Sequence, residues 1–172
     1  MNVTIRRAVP GDQDVLAKLN AVVHDLHVAM FPEYFKATDA NELANRFQSL
    51  LSEPTARIWL AEVGGTAVGY VVAVHQEAPE HALCHARRWC EIVEIAVASD
   101  WRNKGIGGTL VREVIAEAHG NGIYDIELTS WSFNEQAHQA FIHMGFTSKS
   151  VRFWIKGNSH SHAALPAHKS AE

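Results

Sequence analysis

Between Cys90 and His119 three patterns follow one another without a gap: a nearly continuous apolar run, CEIVEIAVAS, a glycine-rich loop, DWRNKGIGGTL, and a stretch in which Leu110, Val111, Val114, Ile115 and Ala118 recur at helical spacing. An apolar run rich in β-branched residues is the pattern of a central strand covered on both faces. The helix that follows buries one stripe and is stopped by Gly120-Asn121-Gly122. A strand, a glycine loop and a helix in direct succession form one crossover unit of a sheet, and the rest of the chain must be arranged around it.

The flanking sequence supplies further elements. VTIRRAV alternates as a short strand before the turn at Pro10-Gly11. From about Asp12 a helix carries Val15, Leu16, Leu19, Val22, Val23 and Leu26 on one face until Phe31-Pro32, and a second, over about 40–52, carries Leu43, Phe47, Leu50 and Leu51. Ile58 to Ala61, Gly64-Gly65 and Val68 to Val74 read as a hairpin, and residues 76–88 read as a surface loop. Ile123 to Leu128 predicts another strand, Ala137, Ala140, Phe141 and Met144 a helix closed by Gly145, and Phe146 to Ile155 a final strand that completes a second crossover unit. This order predicts a single α/β (α+β mixed) domain over residues 1–156, with a mostly antiparallel mixed sheet flanked by helices, and a histidine-containing flexible tail over 157–172 that includes His160, His162 and His168.

The composition, 47% hydrophobic and 20% charged over 172 residues, excludes collagen-like, disordered and coiled-coil chains. A formal charge of −4 has the wrong sign for a dedicated nucleic-acid binder. No segment offers the roughly 18–20 apolar residues of a membrane span, and the N-terminus meets charge too early for a secretory leader, so residence in the cytoplasm is the expectation. Cys84 and Cys90 make neither a disulfide framework nor a four-ligand zinc pattern, and no metal is expected.

Arg102-Asn103-Lys104-Gly105-Ile106-Gly107-Gly108 lies where a buried strand gives way to a helix N-terminus, at which unpaired backbone N–H groups and the helix dipole favour an anion. The glycines let the backbone approach that anion, and Arg102 and Lys104 add countercharge. The phosphate loop of nucleotide hydrolases, with four residues between its glycines and a following Lys-Ser/Thr, is absent. The dinucleotide pattern G-x-G-x-x-G fails because Leu110 stands where its third glycine belongs.

Arg102-x-x-Gly105-x-Gly107, after IVEIAVAS and before an amphipathic helix, resembles the acyl-CoA signature of the GNAT superfamily of N-acetyltransferases. Asn134-Glu135-Gln136-Ala137 running to Phe141, with Met144-Gly145-Phe146 beyond, is similar to the family's N-x-x-A-x-x-x-[YF] helix and its closing L-G-F segment. The resemblance covers roughly residues 3 to 156. It implies a GNAT-like acyl-CoA N-acyltransferase fold, acetyl-CoA as acyl donor, an amine-bearing small molecule or peptide as acceptor, and the homodimerisation common in the family. It further implies that the amides of Asn103, Lys104, Gly105, Ile106, Gly107 and Gly108 hold the pyrophosphate, that the backbone of Ile95, Ala96 and Val97 pairs with the pantetheine arm, and that Asn134 and Phe141 meet the same donor.

An amine with a pKa near about 10 must lose a proton before it attacks a thioester. Glu91 and Glu94, set in an apolar strand, are the candidate bases, with Glu91 favoured and Glu127 a third candidate. Three residues apart, they face opposite sides of a regular strand unless a bulge intervenes. Phe141 stands where many members of the family carry a tyrosine that protonates the departing thiolate, leaving water, Tyr124 or Ser132 to do so. That departure keeps a non-catalytic acyl-CoA-binding or sensor domain as the alternative reading. His24, His27 and residues 30–36 are candidates for the acceptor wall, and Trp131 and Phe133 for core or pocket wall.

Overall fold

The computed structural model describes residues 2–155. They divide into two compact units, one reaching to Asn134 and one beginning at Glu135, and each is described by itself. The expected tail over 157–172 lies outside the described residues.

The first unit runs β1 (Val3–Arg7), α1 (Gln13–Met30), α2 (Ala40–Ser52), β2 (Ala56–Val63), β3 (Thr66–Ala78), β4 (Arg87–Val97), a 3-10 turn (Ser99–Trp101), α3 (Ile106–Gly120) and β5 (Asp125–Leu128). The five strands form one sheet in the order β1-β2-β3-β4-β5. Neighbours are antiparallel except β4 and β5, which are parallel and therefore need a crossover, supplied by α3. This is the mostly antiparallel mixed sheet flanked by helices that the element order predicts.

Local chemistry explains the boundaries. The Asp12 carboxylate accepts the Val9 N–H at 2.8 Å and both terminal nitrogens of Arg6, fixing the turn before α1. Asp39 caps α2 by accepting the Glu42 N–H at 2.8 Å. Gly64 and Gly65, at φ +58° and +78°, supply the two left-handed residues of a tight hairpin between β2 and β3.

Side chains alternate across the sheet. Tyr70 and Val72 join Leu16, Phe47, Ile58 and Leu60 in the core beneath α1 and α2. On the other face, α3 buries Ile106, Leu110, Val111, Val114 and Ala118. A Cβ on Gly69 would lie 2.9 Å from the Ala96 carbonyl and 3.5 Å from Leu110, so β3 accepts nothing larger where it meets β4 and α3. Glu117 of α3 also ties down Arg57 at 3.1 Å and His75 at 2.9 Å. Cys84 is exposed and Cys90 buried, both as free thiols, and burial pushes the Cys90 thiol up to about 11.

Two expectations are corrected. The loop over 76–88 is shorter than its polar composition predicts, because Gln76, Glu77 and Ala78 pair with Trp89, Arg88 and Arg87. A ladder satisfies the backbone whatever the outward side chains, and only residues 79–86 remain between the strands. The final strand over 146–155 does not form among the described residues. Period-two alternation describes where side chains fall and not whether the backbone is paired, and Val151, Phe153 and Ile155 stand exposed. The second crossover unit is therefore left without its last strand. The second unit consists of α4 (Glu135–His143), ended by Gly145 at φ +96°, and Phe141 meets Phe146 edge-on with ring centres 6.0 Å apart. Among the described residues no helix is long and apolar enough to cross a membrane.

Candidate active site

The register of β4 changes in its middle. Ile92 pairs with Ala73 and Glu94 with Val72, so Val93 is an extra residue with no opposite number on β3. Glu91 opposes Val74 and Glu94 opposes Val72. Val72 and Val74 point to the same side, so the bulge brings Glu91 and Glu94 onto the face that carries α1 and α2. The sequence expects opposite faces only for a regular strand, and the bulge is the exception it allows.

The bulge also marks where β4 and β5 part. Their ladder runs from Trp89↔Asp125 to Ile92↔Leu128 and stops, while β4 stays paired to β3 as far as Val97. From Val93 onward the opposite edge of β4, including Ile95, Ala96 and Val97, offers backbone donors and acceptors with no strand partner among the described residues.

That open edge runs into the glycine loop. Arg102 donates from Nε to the Val97 carbonyl at 3.0 Å, tying the loop to the strand end, and Lys104 Nζ lies 4.8 Å from the Trp101 ring centre. Asn103 and Gly105 take left-handed φ values of +58° and +78°, which asparagine tolerates and glycine accepts freely. The first recorded bond into α3 is from the Thr109 N–H to the Gly105 carbonyl at 3.0 Å. The N–H groups of Ile106, Gly107 and Gly108 precede it and have no partner within the helix. A Cβ on Gly108 would meet only Arg112 Nη1, at 3.5 Å, so internal packing does not demand a glycine there. Bare amides, a positive helix end and unfilled room above them suit a pyrophosphate.

The two carboxylates differ in their surroundings. Glu94 is held from three sides: Tyr70 donates its hydroxyl to Oε2 at 3.0 Å, Asn20 Nδ2 donates to the same oxygen at 3.2 Å, and Arg46 pairs with Oε1. Asn20 Nδ2 also donates to the Tyr70 hydroxyl at 2.7 Å. Burial, and then Glu94, push the Tyr70 phenol far above its ordinary value, so it remains a neutral donor. Glu91 is half-buried and makes no side-chain hydrogen bond or ion pair among the described residues. Glu127 lies opposite Glu91 on β5 and pairs with Arg87. The sequence reading missed Asn20, Arg46 and Tyr70. An asparagine four residues after Leu16 on the buried stripe of α1 was the available signal.

Close to Glu94, the end of α1 and the segment after it meet the segment after β5. His27 stacks on Phe35 with ring centres 4.9 Å apart and meets Phe133 edge-on at 6.1 Å, while Phe31 lies 4.7 Å from Trp131 and 5.6 Å from Phe133. His24 Nε2 contacts the Lys36 carbonyl at 2.9 Å. Asn134 donates its N–H to the Trp131 carbonyl at 2.9 Å. Ser132 and Tyr124 are exposed, and Phe141 belongs to the second unit, on α4.

The Acetyltransferase (GNAT) family model matches residues 20–146, most of the chain and all of the segments just described except β1 and the start of α1. The chain belongs to the GNAT acetyltransferase family. Among curated proteins, N-acetyltransferase 8 of Rattus norvegicus is 28% identical over 130 residues, covering 73% of this chain and 57% of the relative. N-acetyltransferase 8B of the same species is 30% identical over 112 residues, covering 65% and 49%. The chain thus spans about half the length of these relatives. Among solved structures, the tetramutant of the BH1408 protein from Bacillus halodurans superimposes with a TM-score of 0.84 at 21% identity, covering 89% of this chain and 99% of that one. An aminoglycoside acetyltransferase, meta-AAC0020, from an uncultured soil metagenomic sample and solved with sisomicin, superimposes at 0.64 with 16% identity, covering 91% and 97%. These two likenesses establish the GNAT fold.

Proposed function

We propose that this GNAT acetyltransferase transfers the acetyl group of acetyl-CoA to a primary amine of a small molecule or peptide, by direct attack of the amine on the thioester. The observation that carries this reading is the open edge of β4 from Val93 to Val97, which leads to the unpaired amides at the start of α3. In this reading the backbone of Ile95, Ala96 and Val97 pairs with the pantetheine arm as an added strand would. The amides of Asn103 through Gly108 hold the pyrophosphate, Lys104 contributes charge, and Arg102 fixes the loop to Val97. Asn134 and Phe141 are assigned to the donor on the family motif.

Glu91 takes the proton from the incoming ammonium, directly or through one water, because its carboxylate is uncommitted whereas that of Glu94 is engaged by Arg46, Tyr70 and Asn20. Glu94, paired with Arg46, fixes the geometry of the strand at the bulge, and the uncompensated charge that draws the cationic acceptor is that of Glu91. As the nitrogen bonds to the acetyl carbon it gives up its second proton to solvent, the C–S bond breaks, and the sulfur leaves as a thiolate. A thiol of pKa about 8.5 departs without an obligatory acid, which is compatible with Phe141 in place of a tyrosine, and solvent supplies its proton.

The test is release of free thiol from acetyl-CoA in the presence and absence of a panel of primary amines, with the acetylated product identified by mass. Amine-dependent release with matching product is the expected result. Tight acetyl-CoA binding with no amine-dependent release by any acceptor would instead mark an acyl-CoA-binding domain.

A further inference from the structure

The aromatic cluster beside Glu94 is built unlike the core aromatics. Phe47 and Tyr70 meet edge-on and are 0% and 1% exposed. Trp131 and Tyr34 are 37% and 60% exposed, while His27, Phe31, Phe35 and Phe133 are half-buried. Packing alone stabilises aromatic rings most when they are fully enclosed. Here several rings gather around one another and leave ring area open.

The position of the cluster ties it to the reacting end. Asn20, His24 and His27 recur at spacings of four and three on one face of α1, and Asn20 donates to Glu94 at 3.2 Å. From Asn20 to His27 the helix rises about 10 Å, so a strip of one helix face leads from the carboxylate to the rings. A ligand lying along it has a cationic end at the bulge and an apolar end against the aromatic wall. Burial, with His24 nearby, lowers the His27 imidazole below its ordinary value, against a smaller opposing pull from Glu94. The shift favours the uncharged imidazole, which does not repel a cation.

Resting on the reading that this enzyme acetylates amines, we propose that Phe31, Phe35, Trp131 and Phe133, with His27, form a specificity wall that selects primary amines whose carbon skeleton ends in an aromatic ring. The ammonium end answers the negative charge of Glu91, and the ring lies against Trp131 and Phe31. The wall determines which amine is bound and does not take part in the chemistry.

Matched acceptor pairs test this with the full chain: 2-phenylethylamine against ethylamine, and 4-phenylbutylamine against butylamine, each as kcat/KM with acetyl-CoA saturating. The expected aryl-to-alkyl ratio is about tenfold or more, the worth of one well-placed aromatic contact. Trp131→Ala and Phe31→Ala each lower that ratio severalfold, and Trp131→Phe retains most of it. Stabilisation by acetyl-CoA checks that each variant is folded. A ratio near one in the unaltered enzyme, or a ratio unmoved by Trp131→Ala, overturns the proposal and leaves acetyl transfer standing. If acetyl-CoA binds but no amine is turned over, calorimetric binding of the same pairs in the presence of coenzyme A decides, and equal binding of aryl and alkyl members overturns it. Failure of the acetyl-transfer reading is seen separately, as no acetyl-CoA binding and no thiol release with any amine.

Discussion

In the proposed reading, the donor side and the acceptor side of this molecule are built in opposite ways. The proposed donor side is a contiguous stretch from Val93 to Gly108 that offers its backbone: an unpaired strand edge, then unpaired amides at a helix start. The acceptor side is assembled from side chains of α1, α2, β3, β4 and the segment after β5, and its groups meet only through tertiary packing. Backbone groups are the same in every sequence, so a donor shared across a family is suited to the first construction. A substrate that differs from one member to the next is suited to the second, in which single substitutions change recognition.

The comparison breaks most sharply at Glu91. Glu91→Gln is expected to lower kcat about 10²–10³-fold with little change in KM for acetyl-CoA, and the deficit should shrink as pH rises towards the pKa of the amine, read from a pH–rate profile. An unchanged kcat would remove Glu91 as the base. Asn20→Ala comes next. It leaves Tyr70 and Glu94 without a shared donor in a part-buried site and should cost about 1–3 kcal/mol in chemical denaturation, with a larger change in KM for the amine than for acetyl-CoA.

The smallest effect is one of pH. His27 has a folded-state value below its ordinary value of 6.5, so between the two values the unfolded chain binds more protons than the folded one. That contribution to stability is present above about pH 6.5 and is lost as pH falls towards the folded value. His27→Phe should flatten this part of the stability profile, followed by thermal melting at stepped pH. The groups acting on His27 are His24, which lowers its value, and Glu94, which raises it. No histidine lies in the donor stretch from Val93 to Gly108, so a Gly108→Ala control should keep the slope.

The same contrast decides how much could be read from the sequence. The strand, the R-x-x-G-x-G loop and the helix are adjacent in the chain, and their periodicity and glycines specify the local structure. The bulge at Val93 was not legible, because it exists only as a register against β3 and an unbroken apolar run carries no mark of it. The engagement of Glu94 by Arg46 and Tyr70 was hidden for a similar reason, since those residues lie 48 and 24 positions away along the chain. His24, His27, Trp131 and Phe133 stood out singly, but their meeting depends on the α1 terminus lying against the segment after β5. The alternation over 146–155 misled, because period two describes side chains and a strand also needs a neighbouring edge.

The most direct test of the account is a thermal-shift titration of the protein with acetyl-CoA, ATP and NAD in parallel, repeated on Gly107→Trp. A ligand that binds only the folded state raises stability by mass action, about 2.7 kcal/mol at a hundred times its Kd. The account predicts selective stabilisation by acetyl-CoA that Gly107→Trp abolishes while remaining folded. No response to acetyl-CoA, or an equal response to all three nucleotides, would contradict it.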